Sequence, residues 1–218
     1  MSTHYFSRPL ARLTAGAILF FFATVAAGTA AAAGDAAAGQ ANFAVCMACH
    51  GAEGLGNQAM GSPNIAGQGA WYVERQLQAF QKGHRGTAPG DTWGATMRPM
   101  AMAVGDPTAT ANVSAYVASL PMQANAPTIT GDAAAGAASY AVCAACHGQN
   151  AEGNQAMGAP RLAGQDDWYL VQQLKNYKTG LRAYDPADVW GAQMKGMAMT
   201  LADDAAINNV VAYISSLK

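Results

Sequence analysis

An all-α fold built from one helical unit written twice is predicted by three observations. Apolar residues recur at helical spacing, no segment alternates apolar and polar residues as a strand would, and the second half of the chain repeats the first without a gap. Gly34-Asp35-Ala36-Ala37-Ala38-Gly39 returns as Gly131-Asp132-Ala133-Ala134-Ala135-Gly136, an offset of 131 minus 34, or 97 residues. The same offset carries Cys46 to Cys143, His50 to His147, Pro63 to Pro160, Trp71 to Trp168, Met97 to Met194 and Tyr116 to Tyr213. Such a repeat marks one folding unit used twice.

The N-terminal element is of another kind. Arg8 and Arg12 lead into the apolar run Leu13 to Ala27 and the small residues Thr29 to Ala33, the order of a secretory signal occupying residues 1–33. The run falls short of the roughly 20 residues that a spanning helix needs. The expectation is a protein exported to the periplasm, with membrane association only through a partner or an uncleaved signal. Removing residues 1–33 takes away two of the 12 basic side chains, leaving 10 against 13 acidic ones. A mildly acidic chain without a Lys/Arg cluster lacks the basic surface that phosphate binding requires, so no nucleic acid partner is expected.

Two units follow, residues 34–121 and 131–218, with residues 122–130 as a short ordered linker after Pro121 and around Pro127. Asp35 and Asp132 are N-caps for a first helix that runs into each cysteine pair. A second helix runs from about Ala70 to Lys82, with Val73, Leu77 and Phe80 on its inner face; Leu170, Leu174 and Tyr177 match them in the second unit. A last helix begins after Asp106, with Pro107 at its first position, and turns Val113, Tyr116, Val117 and Leu120 inward. The methionine-bearing segments ahead of it read as loops. A unit of about 90 residues rich in Ala and Gly buries a marginal core by itself, a difficulty that a large apolar cofactor at its centre would remove.

The chemistry lies in Cys46-Met47-Ala48-Cys49-His50 and Cys143-Ala144-Ala145-Cys146-His147. Four cysteines in an exported chain would ordinarily pair as disulfides, but C-x-x-C-H is the spacing of covalent haem c attachment. Two thiols three positions apart share one helical turn and reach the two haem vinyl groups, while the adjacent imidazole reaches the iron. A thiol oxidoreductase would need a strand-helix context that is missing, and a zinc site gathers four ligands in one cluster. The predicted cofactors are therefore two covalently attached haem c groups, with His50 and His147 as axial ligands. Histidine cannot supply the opposite ligand to both, since His4 lies in the signal and His84 is answered by Leu181. Methionine can: Met97, Met100 and Met102 are answered by Met194, Met197 and Met199, and a His/Met pair raises the reduction potential.

The order G-D-x-x-x-G, C-x-x-C-H, P-x-x-A-G-Q, W-Y-x-x-x-Q-L and then methionines before a helix with a central Tyr resembles the cytochrome c4 family, over essentially all of residues 34–218 and in both copies. The chain departs from the commonest pattern in its W-G-A-x-M lead-in, Trp93 to Met97 and Trp190 to Met194. The resemblance implies two tandem class I cytochrome c domains, each a small helical bundle around a covalently bound haem. It implies Cys46, Cys49, Cys143 and Cys146 as the attachment residues, Met97 and Met194 as the iron ligands opposite His50 and His147, and the Pro63 and Pro160 carbonyls as acceptors for the ring N–H of those histidines. Trp71, Trp93 and their mates read as core aromatics and Arg75, Arg85 and Arg182 as positions on a solvated helix face, with contact to haem propionates as the alternative for both sets. The implied role is a dihaem electron carrier, not an enzyme, between respiratory or dehydrogenase partners and a terminal acceptor such as an oxidase. Its redox-protein partners would be a donor dehydrogenase or quinol-oxidising complex and an acceptor oxidase or reductase. The alternatives are a dihaem enzyme of the peroxidase or thiosulfate-oxidising type, or a haem subunit of a larger oxidoreductase complex.

Overall fold

Local signals set the ends of the helices. Helix α1 (Ala36–His50) starts where the Asp35 carboxylate accepts the N–H groups of Ala37 and Ala38 at 2.8 and 3.2 Å, and α5 (Ala133–His147) starts on Asp132 in the same way. Each ends at a glycine, Gly51 with φ 78° and Gly148 with φ 84°, values that residues with a Cβ rarely adopt. The second helices are α2 (Ala70–Gln81) and α6 (Asp167–Thr179), and the last are α4 (Pro107–Ser119) and α8 (Asp204–Ser216), capped by Asp106 and Asp203. This computed structural model describes residues 1–3 and 34–217, so residues 4–33 of the expected export signal lie outside the described residues. Among the described residues no helix is long and apolar enough to cross a membrane.

One expectation is corrected. The methionine segments form helices, α3 (Thr92–Val104) and α7 (Val189–Ala198), where loops were expected. Pro99 inside α3 and Gly196 inside α7 mask the pattern, because each is unfavourable in a helix interior. The caps and the packing outweigh that cost: Asp91 and Asp188 accept the N–H groups of Gly94 and Gly191, and Ala101 and Ala198 are fully buried.

Within each repeat the first and last helices cross closely, α1 on α4 and α5 on α8. Gly39 and Gly136 sit at the crossings, where an added Cβ would lie 2.0 Å from the Asn112 carbonyl oxygen and 1.9 Å from that of Asn209. Beside them Phe43 meets Tyr116 and Tyr140 meets Tyr213, with ring centroids 5.2 and 5.3 Å apart. The first core gathers Phe43, Leu77, Phe80, Ala101, Val113 and Val117, and the second is built around Tyr140, Leu170, Leu201, Ile207, Val210 and Ile214. The inner faces expected for the second and last helices are those that pack.

Residues 122–130 are strapped down by two buried carboxylates at the start of α6. Asp167 accepts the N–H groups of Thr128 and Ile129 at 2.5 and 2.8 Å and the Thr128 hydroxyl at 2.8 Å. Burial by itself would raise the Asp167 carboxyl, but these bonds and that from the Trp168 amide outweigh it and hold it below its ordinary range. A carboxylate depressed in the folded state stabilises above its unfolded pKa and loses that contribution as pH falls through the folded value. Asp167→Ala is therefore expected to cost about 1–3 kcal/mol at neutral pH and to open residues 122–130 to protease. Urea unfolding should show the gap between variant and parent closing as pH drops below about 4.

Candidate haem sites

Each C-x-x-C-H motif occupies the last turn of its helix, so the two thiols lie on one face and the imidazole at the helix end. All four cysteines are free and half-buried. Burial, with the neighbouring Cys49 as a smaller cause, pushes the Cys46 thiol up to about 11, and burial raises Cys143 as well. Reactive dithiols have the opposite property, a lowered thiol pKa, which neither Cys46 nor Cys143 shows. Among the described residues no cluster of His, Cys, Asp and Glu could hold a bare metal ion.

The histidines are fixed identically. His50 Nδ1 lies 2.8 Å from the Pro63 carbonyl oxygen, and His147 Nδ1 lies 2.7 Å from that of Pro160. A carbonyl only accepts, so Nδ1 carries the proton and Nε2 keeps its lone pair. Burial lowers both histidines from their ordinary pKa, against the smaller opposing effect of the proline carbonyls, which keeps the rings neutral at neutral pH. A neutral, oriented imidazole is the form that ligates a metal.

The structure separates the methionines by burial. Met97 packs against the first core together with Cys46, Ile65 and Val73, whereas Met100 and Met102 are exposed. Met194 is half-buried, and Met197 and Met199 are exposed. The structure thus brings Met97 and Cys46 onto one cluster.

The arginines and two of the tryptophans lie elsewhere than expected. Arg182 is 7 % exposed, and with Arg85 it closes a ring across the two repeats. Arg85 donates to Gln76 at 2.6 Å and Gln173 at 3.5 Å, while Arg182 donates to Gln173 at 3.2 Å and Gln76 at 3.3 Å. Gln68 donates to the Arg161 carbonyl at 3.0 Å and its mate Gln165 to the Asn64 carbonyl at 2.9 Å. Equivalent residues exchanging equivalent bonds make this contact resemble the interface of a twofold dimer. Trp93 and Trp190 are 42 and 48 % exposed and stay out of the cores: Trp93 meets Trp168 at 5.8 Å, and Trp190 stacks on Arg75 at 5.0 Å. Sequence reasoning gave these glutamines no role, although each is the invariant Gln of a doubled motif, P-x-x-A-G-Q or W-Y-x-x-x-Q-L. A polar residue kept in both copies of such a motif was the available signal.

The chain fits two haem c groups. The Nε atoms of Arg75, Arg98 and Arg182 are buried with no partner in the protein, and an unpaired buried donor is costly. Acceptors on a bound group, such as haem propionates, would satisfy them. The unpaired thiols and the free Nε2 lone pairs supply the attachment and ligand chemistry.

Comparison with known proteins agrees with this geometry. The family described as Cytochrome c matches residues 36–121 and again residues 133–218. The chain is 34 % identical over 202 residues to cytochrome c4 of Azotobacter vinelandii, covering 84 % of this chain and 91 % of that protein. It is 36 % identical over 160 residues to the thiosulfate dehydrogenase electron acceptor of Thiomonas intermedia (strain K12), covering 69 % of this chain and 70 % of that one. The crystal structure of reduced recombinant cytochrome c4 from Pseudomonas stutzeri superposes with a TM-score of 0.67 at 30 % identity, covering 85 % of this chain and all of the other.

Proposed function

We propose, since this chain belongs to the cytochrome c4 family with its two tandem cytochrome c domains, that it is a periplasmic carrier taking electrons from a respiratory or dehydrogenase partner and passing them to a terminal acceptor such as an oxidase. That it is a dihaem electron carrier of the cytochrome c4 type follows from the family; the compartment and the partners are the proposal. An export signal over residues 1–33 would deliver units 34–121 and 131–218, joined by residues 122–130, to the compartment where haem c is attached. The observation that carries the reading is the equivalence of the two sites, with His Nδ1 held by a proline carbonyl at 2.8 Å in one and 2.7 Å in the other.

When bound, haem c supplies an iron centre that gains and loses one electron. Cys46 and Cys49 in domain 1, and Cys143 and Cys146 in domain 2, would anchor it through thioethers at the end of a rigid helix. His50 and His147 would bind the iron through Nε2, with Pro63 and Pro160 fixing the ring plane through Nδ1. Met97 and Met194 would close the opposite side. Two protein ligands at each site would leave no position for a substrate, which favours a carrier over a peroxidase-type or thiosulfate-oxidising enzyme. A dehydrogenase partner is supported by the similarity to a protein named as a thiosulfate dehydrogenase electron acceptor.

The test is spectroscopic. Pyridine haemochrome should give two haem c per chain, and carbon monoxide should leave the reduced protein unchanged at neutral pH. Met97→Ala and Met194→Ala should each remove about half of the sulfur-to-iron band near the infrared, open one site to carbon monoxide and lower that site's potential. Carbon monoxide binding to the unsubstituted protein would overturn the carrier reading.

A further inference from the structure

A polar cavity of about 250 Å³ lies where domain 1, the linker and the start of α6 meet. Asn57 and Gln58 of domain 1, Asn125 and Thr128 of the linker, and Asp166 and Trp168 of domain 2 contribute its walls, which include no cysteine, no axial histidine and neither Met97 nor Met194. Those walls are fixed in advance. Asn57 exchanges backbone bonds with Ser62 at 2.7 and 3.0 Å, the Asn125 side-chain amide donates to the Leu55 carbonyl at 2.8 Å, and Thr128 is held by Asp167. Asn57 and Gln58 return in the second repeat as Asn154 and Gln155, but Asp166 is answered by Gly69 and residues 122–130 lie outside both units, so the combination forms once per chain.

Asp166 is the single ionisable side chain of those walls, and it is 4 % exposed. It stands at the N-cap of α6, where a carboxylate ordinarily bonds the first amides of its own helix, yet it makes no such bond. Its Oδ2 accepts the N–H of Asn64 at 2.8 Å and its Oδ1 the side-chain amide of Asn125 at 2.6 Å. A carboxylate offers about four acceptor positions, so about half of its capacity is unused. Neither ion pair among the described residues includes it, and no Lys or Arg contributes to the walls. A buried carboxylate without a counter-charge is costly, and here that charge borders a space large enough to admit one.

The walls also select the class of cation. One water occupies a share of about 30 Å³, so the space is several times too large for a single bare metal ion, and no group of three His, Cys, Asp or Glu side chains gathers among the described residues. A protonated amine fits on both counts. Its N–H groups can donate to the unused carboxylate positions and to the side-chain oxygens of Asn57 and Gln58. Its carbon chain and its charge both suit the indole of Trp168, since aromatic faces attract cations. The volume falls below the roughly 300–1,000 Å³ of sites for drug-sized ligands, which limits the guest to a small molecule. We propose that this cavity is a binding site for one small primary alkylammonium ion, anchored by Asp166. The occupant touches domain 1, the linker and domain 2 together, and so holds residues 122–130 against both.

The experiment is a titration of the reduced dihaem protein with n-butylammonium chloride, against sodium chloride at equal ionic strength. The backbone amide resonances of Asn57, Asn125 and Thr128 and the indole N–H of Trp168 report on the site. Their shifts should saturate with one ion bound per chain, and butan-1-ol, the neutral molecule of the same shape, should bind at least tenfold more weakly. Asp166→Asn should weaken n-butylammonium at least tenfold. Gln58→Glu, at an exposed position, should tighten it at least threefold by adding a second negative charge, and it tests the role of charge even where Asp166→Asn loosens the linker. Bound n-butylammonium should also slow proteolysis of residues 122–130 in the unsubstituted protein. Equal binding of butan-1-ol, an unchanged affinity in both variants, or saturation of the same resonances by calcium chloride with no response to n-butylammonium would each overturn the inference, the last by assigning the space to a metal ion.

Discussion

Replacing Cys143 and Cys146 by alanine is expected to halve the haem content, from two per chain to one, and to leave domain 2 poorly folded while domain 1 keeps its spectrum. Each thiol pair lies at the end of a helix whose inner face is itself part of a core: Cys143 packs against the cluster of Tyr140, Ile207, Val210 and Ile214. A unit of that size has little apolar surface to spare, so the bound group is structural as well as functional. Haemochrome per mole of protein measures the first effect, and loss of helical circular dichroism on heating at a lower temperature measures the second. Retention of two haems would show that the thiols are not the attachment points. The corresponding Cys46→Ala, Cys49→Ala variant should give the mirror result, since the two motifs share one local geometry.

Gly136→Ala should destabilise the protein by about 3 kcal/mol, the upper part of the range for overpacking a core, although alanine is the better helix former. Its Cβ would meet the Asn209 carbonyl at 1.9 Å and its carbon at 2.5 Å. Those are backbone atoms of α8, so no rotamer change relieves the clash and the two helices must separate. Gly39→Ala should act alike against Asn112, with the nearest approach at 2.0 Å. Gly196→Ala is the control: nothing lies within 4 Å of its added Cβ, it is inside α7, and it should stabilise by about 0.5–1 kcal/mol through helix propensity alone. Chemical unfolding of the three variants separates close approach from propensity. Equal effects at Gly136 and Gly196 would show that the crossing is not tight.

Much of the site was legible from residue order because its parts are local. C-x-x-C-H needs only one helical turn to set its geometry, and the Asp caps ahead of α1, α4, α5 and α8 act over two or three residues. Pro63 and Pro160 each set a carbonyl on a histidine ring, because 13 residues of loop return on themselves through short backbone bonds such as Gly56 N–H to the His50 carbonyl at 2.9 Å. The helical state of Thr92–Val104 was less legible, since Pro99 argues against it locally and Ala101 repays that only through burial in the folded core. Arg182 was misjudged for a related reason. A charged side chain reads as solvated until partners from a distant segment, here Gln76 and Gln173, are seen to surround it.

The sequence by itself determined the duplicated all-helical unit, the caps of its first and last helices, the inner faces of its second and last helices and the thiol and imidazole side chains, because periodicity and short-range bonding fix these within a few residues. Only the tertiary structure decided that Met97 joins the core that Cys46 lines while Met100 and Met102 face outward, and that Gly39 and Gly136 exist to let two helices touch. It also decided which side chains bond across the two repeats, since Arg75 and Asp166 meet loops about 80 and 100 residues away in the chain, a separation at which local propensity carries no information.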